Sequence, residues 1–221
     1  MTDRLSGTPM GDALLELAAR MEAEELPPVT LHVIGGFALM LRGVRPLSGV
    51  TDIDYLGPEL HGRTAALIEE IGAKHHMESG WINNDGMLFG DSLEDFELAT
   101  GKLHFDQTVT LGKIRIQVLS EPDLLRMKLI AIDTALTEYR ALGTFARTKD
   151  FSDIYALMKK GQQSPAAVCN ACSEYLIMPK GTAALVSEIW SLGPENAAKK
   201  MDQRVEARTR ALKQKNEGFE L

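Results

Sequence analysis

Cysteine is nearly missing from this chain. Two occur in 221 residues, Cys169 and Cys172. A lone C-x-x-C suggests half a zinc site or a redox pair, but no second Cys/His cluster accompanies it, since His75-His76 lies in a different region. The surrounding PAAVCNACSEYLIM reads as a helix with Ser164 as cap and Pro165 at its first position. Both thiols are therefore expected as half-buried core groups. Long apolar runs are missing too: none approaches the ~20 residues that a membrane span requires. The opening segment carries acids and no extended apolar stretch, so no signal peptide is expected there, and the expected location is cytoplasmic. An excess of positive charge is also lacking. The net charge of −7 argues against a basic nucleic-acid coat without excluding a local patch. No internal repeat, low-complexity tract or long linker interrupts the chain. Hydrophobic residues make up 44%, which is ample for a core.

The most informative stretch runs from Leu31 to Leu56. Leu31 to Ile34 reads as a short buried strand with His32 on one face and Val33 on the other. Gly35-Gly36 ends it, allowing positive φ and removing the Cβ atoms that keep a ligand from the backbone. Phe37 to Leu41 starts a helix whose N–H groups favour an anion, and Gly43 is a plausible stop. Thr51 to Leu56 reads as the next strand. Residues two apart on a strand share a face, so Asp52 and Asp54 are expected to aim together. Neighbouring carboxylates repel, and a cation relieves that repulsion. Oxygen-only ligands suit Mg²⁺ or Mn²⁺, completed by substrate phosphates.

GGFAL followed by TDIDYL resembles the two signature motifs of the nucleotidyltransferase superfamily, which includes antibiotic nucleotidyltransferases and AbiEii-type toxins. SEPDLLRMKLIA (Ser120 to Ala131) and KDFSDIYAL (Lys149 to Leu157) resemble later motifs of the AbiEii-like branch, a lysine-bearing helix followed by one with an Asp-x-x-Asp pair. WINND (Trp81 to Asp85) is similar to a segment of uncharacterised bacterial members. The resemblance covers roughly residues 12 to 158. It implies an α/β (α+β) fold: a nucleotidyltransferase-type mixed sheet flanked by helices, then a C-terminal helical region. It also implies a magnesium-dependent transfer of a nucleoside monophosphate from a nucleoside triphosphate. The acceptor would be a hydroxyl of RNA (a tRNA end), a protein or a small molecule, and an antitoxin could be the partner. Gly35 and Gly36 would hold the phosphates and Asp52 and Asp54 the metal, with Asp54 or a later acid deprotonating the acceptor. Lys128 would steady the leaving pyrophosphate. The superfamily also supplies a third carboxylate from a later strand. Here Lys113 to Leu119 offers only Gln117, which leaves Glu97 and Asp106 as candidates.

Elsewhere, Asp12 to Leu26 reads as an amphipathic helix ended by Pro27-Pro28. Gly62 to Lys74 reads as another, with Ala66, Leu67 and Ile71 inward. Leu103 to Thr110 and Ile114 to Leu119 read as strands joined by a tight turn. An α/β core is expected over 1–119 and a helical region over 120–221. Ser120 and Asp123 form a capping box, with Pro122 in the first turn. Lys128 falls within the apolar register of that helix, either snorkelling to water or directed at an anion. Asp150 and Asp153 are expected to brace Lys128 or Arg147. The final helix, roughly Glu195 to Asn216, is basic and reads as a solvated face rather than an RNA contact. A catalytically degenerate binding module is the alternative to the enzyme, and a protein that docks its partner through the basic helix is the third reading.

Overall fold

The computed structural model describes residues 5, 7–46, 50–84, 97, 101–173 and 180–217. Asp85, residues 174–178 of the helix expected around the cysteines, and the Cys172, Lys213 and Lys215 side chains fall outside what is described. Two compact units divide the chain, Met1–Leu124 and Leu125–Leu221. The division falls inside a helix rather than at its start.

The first unit is built on a five-stranded mixed sheet in the order β3-β2-β1-β5-β4. Its strands are β1 (Val29–Val33), β2 (Ile53–Leu56), β3 (Ile82–Asn83), β4 (Phe105–Leu111) and β5 (Ile114–Leu119). β1 runs antiparallel to β2 and parallel to β5, and β3 runs parallel to β2. β4 and β5 form a hairpin whose two-residue loop is Gly112-Lys113, with Leu111 opposite Ile114. Gly112 takes φ +51° there, the left-handed conformation that such loops require. Helices α1 (Pro9–Ala23), α2 (Gly35–Leu41) and α3 (Gly62–Lys74) complete the unit.

Several boundaries differ from those the sequence suggests. α1 starts earlier because Thr8 accepts from the Gly11 N–H and Pro9 occupies the first turn. It stops at Ala23, before the prolines. Ala66 is exposed, and Leu67, Ile68 and Ile71 form the buried stripe of α3. Gly35 and Gly36 lie in the first turn of α2 rather than ahead of it. β2 begins at Ile53, which leaves Asp52 outside the strand.

The register sorts the sheet into two unlike faces. Leu31, Val33, Ile53, Tyr55, Val109, Leu111, Ile114, Ile116 and Val118 are buried on one face. Together with Leu14, Leu17 and Met21 of α1 and Leu67, Ile68 and Ile71 of α3, they supply the core. The other face carries Thr30, His32, Asp54, Asn83, Thr108, Thr110, Arg115 and Gln117, all half-buried or exposed, with Leu56 and Leu119 buried among them. Trp81 closes the core beneath α3. Its Nε1 donates to Ile68 O at 2.9 Å, and its ring lies 2.6 Å from where a Cβ on Gly72 would stand. Only glycine lets the indole approach the helix so closely.

The second unit is helical in its described residues: α4 (Glu121–Leu142, begun in the first unit), α5 (Asp150–Lys160), α6 (Pro165–Ser173), α7 (Lys180–Leu192) and α8 (Pro194–Glu217). α8 packs on α5 and α7, and α6 packs on α7. Ser164 caps α6, accepting from the Ala167 N–H at 3.2 Å. Cys169 is half-buried and burial pushes its thiol pKa up. No described helix is long and apolar enough to cross a membrane.

Candidate functional site

β1 ends at Val33 and hands the chain to Ile34, whose N–H donates to Asp54 O at 3.0 Å. This pairing sets the beginning of β2 beside the end of β1. Gly35 follows with φ +64°, a conformation that L side chains rarely adopt. A Cβ built on Gly35 would stand 2.4 Å from Asp54 Oδ2. The missing side chain is thus the space in which the Asp54 carboxylate rests against the backbone. A Cβ on Gly36 would meet Arg45 Nη1 at 2.8 Å, so a guanidinium stands on the other side of the same turn. No sequence signal marks Arg45; it arrives because the α2 C-terminus folds back, with Val44 and Arg45 N–H groups donating to Leu39 O at 2.9 and 3.4 Å.

Asp52 is exposed and Asp54 half-buried. Asp54 is paired across the sheet with Asn83 of β3, so its nearest strand neighbour is an amide and not an acid. His32 shares the Asp54 face, stacked edge-on against Phe105 with centroids 4.9 Å apart. Burial holds the His32 imidazole below its usual pKa, against opposing hydrogen bonds with the Leu56 backbone and the Gln117 side chain.

The two candidates for a third acid are placed elsewhere. Asp106 is paired with Arg42, whose guanidinium also donates to the Val118 and Leu119 carbonyls. β1 and β5 stand between its strand and β2, an offset of about 14 Å at ordinary strand spacing. Glu97 uses Oε1 to accept from the Leu103 N–H at 2.9 Å, and its carbonyl accepts from the Gly101 N–H at 2.7 Å. Both act as local braces. Among the described residues no three or more His, Cys, Asp or Glu side chains come together to hold a metal ion. The Asp54 carboxylate is by its chemistry a fitting donor to a hard divalent cation that completes its shell with phosphate oxygens and water.

Lys128, Arg147, Asp150 and Asp153 meet in the second unit. Lys128 Nζ lies 2.5 Å from Asp150 Oδ1 and 2.9 Å from Asp153 Oδ2. Arg147 Nη1 stands 3.8 Å from Asp150 Oδ2. The two carboxylates are 1% and 4% exposed and the lysine side chain 14%. Asp150 and Asp153 lie one turn apart on α5, on one helix face, while Lys128 reaches them from α4.

No family model, curated protein or solved structure matches the chain.

Proposed function

We propose that the first unit is a nucleotidyltransferase-type domain that takes a nucleoside monophosphate from a nucleoside triphosphate to a hydroxyl acceptor. The observation that carries this reading is the contact between the Gly35 backbone and the Asp54 carboxylate, because it sets an acid directly against the glycine turn at the start of α2. Asp54 and Asp52 would hold Mg²⁺ or Mn²⁺, which when bound supplies charge neutralisation at the phosphates. Gly35 and Gly36 would let the triphosphate lie against main-chain N–H groups with no Cβ in the way. The fixed positive charge of Arg45 beside Gly36 adds electrostatic stabilisation where negative charge collects.

A single assay tests the reading. The full chain is incubated with each labelled nucleoside triphosphate, Mg²⁺ and total RNA or cell lysate. Label transfer that vanishes in Asp52→Asn and Asp54→Asn is expected; a wild-type protein that neither transfers nor binds any triphosphate refutes the proposal. The Asn83 opposite Asp54 favours a second reading, a member that binds nucleotide without transferring it. Its signature is triphosphate binding, lost in Asp54→Asn, with no labelled product.

A further inference from the structure

Asp123 does more than cap α4. The Ser120 hydroxyl accepts from the Asp123 N–H at 3.3 Å, as a helix cap should. The Asp123 carboxylate, however, does not return to the Ser120 N–H, which donates instead to His104 O at 2.8 Å. Asp123 Oδ2 gathers the Ser120 hydroxyl at 2.9 Å, the His104 N–H at 2.8 Å and His104 Nδ1 at 3.1 Å. Asp123 is 9% exposed at the side chain and His104 68%. A buried carboxylate therefore grips one edge of an imidazole whose other edge faces outward. With Nδ1 donating to that carboxylate, the neutral imidazole presents the Nε2 lone pair outward. This is the orientation in which a third group holds a general base.

The sheet register shows where this pair lies. β1 and β5 run parallel with Val33 opposite Val118, so Gly35 and Ser120 leave the sheet at the same end. His104 is joined to Ser120 through the main chain. The glycine turn of β1 thus has Asp54 one strand away on one flank and His104 two strands away on the other. Two strand spacings are about 10 Å. α2 leaves the turn against β5, and Arg42 at its end donates to the Val118 and Leu119 carbonyls, so an acceptor hydroxyl between the turn and His104 would lie beside that guanidinium.

We propose that His104, held by Asp123, is the general base for the acceptor hydroxyl, a role that rests on the nucleotidyl-transfer reading above. The hydroxyl proton passes to His104 Nε2 and the acceptor oxygen bonds to the α-phosphorus. The bond from that phosphorus to the oxygen bridging to the β-phosphate breaks, and pyrophosphate leaves with the electron pair. In-line displacement would place the acceptor oxygen opposite the leaving pyrophosphate, on the His104 flank of β1.

The experiment uses the full chain with labelled nucleoside triphosphates, Mg²⁺ and total RNA or cell lysate, comparing wild type, Asp54→Asn, His104→Gly and His104→Gly with added imidazole. His104→Gly is expected to transfer about 100-fold more slowly, to bind triphosphate as tightly as wild type, and to recover in part with imidazole. Asp123→Asn should slow transfer less, since the imidazole remains but loses its fixed tautomer. Transfer that needs Asp54 yet proceeds at the wild-type rate in His104→Gly overturns this proposal alone. A slow variant that imidazole does not rescue also overturns it, because the loss is then structural. Absence of transfer by the wild type overturns it together with the reading beneath it.

Discussion

Each unit holds a close pair of aspartates, and the two pairs are treated in opposite ways. Asp52 and Asp54 stand two residues apart, Asp52 exposed just ahead of β2 and Asp54 half-buried within it. Asp150 and Asp153 stand three apart at the start of a helix, 1% and 4% exposed, with the Lys128 ammonium against both. Burying a carboxylate is costly unless a cation accompanies it, and the second unit carries its own cation in the chain. The first pair lies nearer to solvent. Proximity of like charges by itself therefore does not mark a binding site; what separates the two pairs is how deeply each is buried.

The sharpest way to break that contrast is Lys128→Met. It strands two buried carboxylates and is expected to destabilise the fold by about 3–5 kcal/mol, read as a lowered denaturation midpoint. A loss below about 1 kcal/mol would mean that solvent reaches Asp150 and Asp153, making the two pairs alike. Gly72→Ala comes next, because its methyl would press into the Trp81 indole, 2.6 Å away. About 1–3 kcal/mol is expected in the same denaturation measurement. Asp54→Asn should leave the midpoint within about 1 kcal/mol of wild type, while removing Mg²⁺-dependent nucleotide binding, which calorimetry can follow.

The smallest effect concerns the ion pairs of the first unit. Glu24 is held down to about 2 from 4.5 by hydrogen bonds from Arg63 and Arg20. Its folded value lies below its unfolded one, so its contribution is present above about 4.5 and is lost as the pH falls through about 2. Glu24→Gln should therefore lower stability slightly at neutral pH, where the contribution is fully present, leave it unchanged below about pH 2, and so flatten the acid limb of the stability profile. An unaltered acid limb would show the pairs to be fully screened.

The sequence made some of this legible and hid the rest for physical reasons. Alternation located β4, β5 and their turn, and helical spacing put Lys128 among buried neighbours, because both signals are local. Ser120 was recognisable as a cap for the same reason. Asp52 could not be told from a strand residue, since a strand edge depends on which partner pairs there, and Ile53 is the first residue with one. Ala66 fits an apolar stripe by composition but lies on the solvent side of α3. Arg45 over Gly36, Asn83 opposite Asp54 and His104 on Asp123 all depend on where the chain returns to itself. Arg42, hydrogen-bonded to carbonyls 76 and 77 residues away, is the clearest case. The Gly-Gly and Asp-x-Asp motifs named one end of the sheet; which side chains assemble around that end is a matter of register, which no local window contains.

The chain has two tryptophans, and they fall one to each unit. Trp81 is 1% exposed against Ile68 and Gly72, whereas Trp190 is half-buried with Lys159 Nζ 4.3 Å from its ring centre. Intrinsic fluorescence is accordingly a two-channel readout: blue-shifted emission from the sheet, and a redder, ammonium-perturbed signal from the helices. Trp190→Phe isolates the first channel, so melting or ligand titration of the sheet can be followed without a dye or a tag.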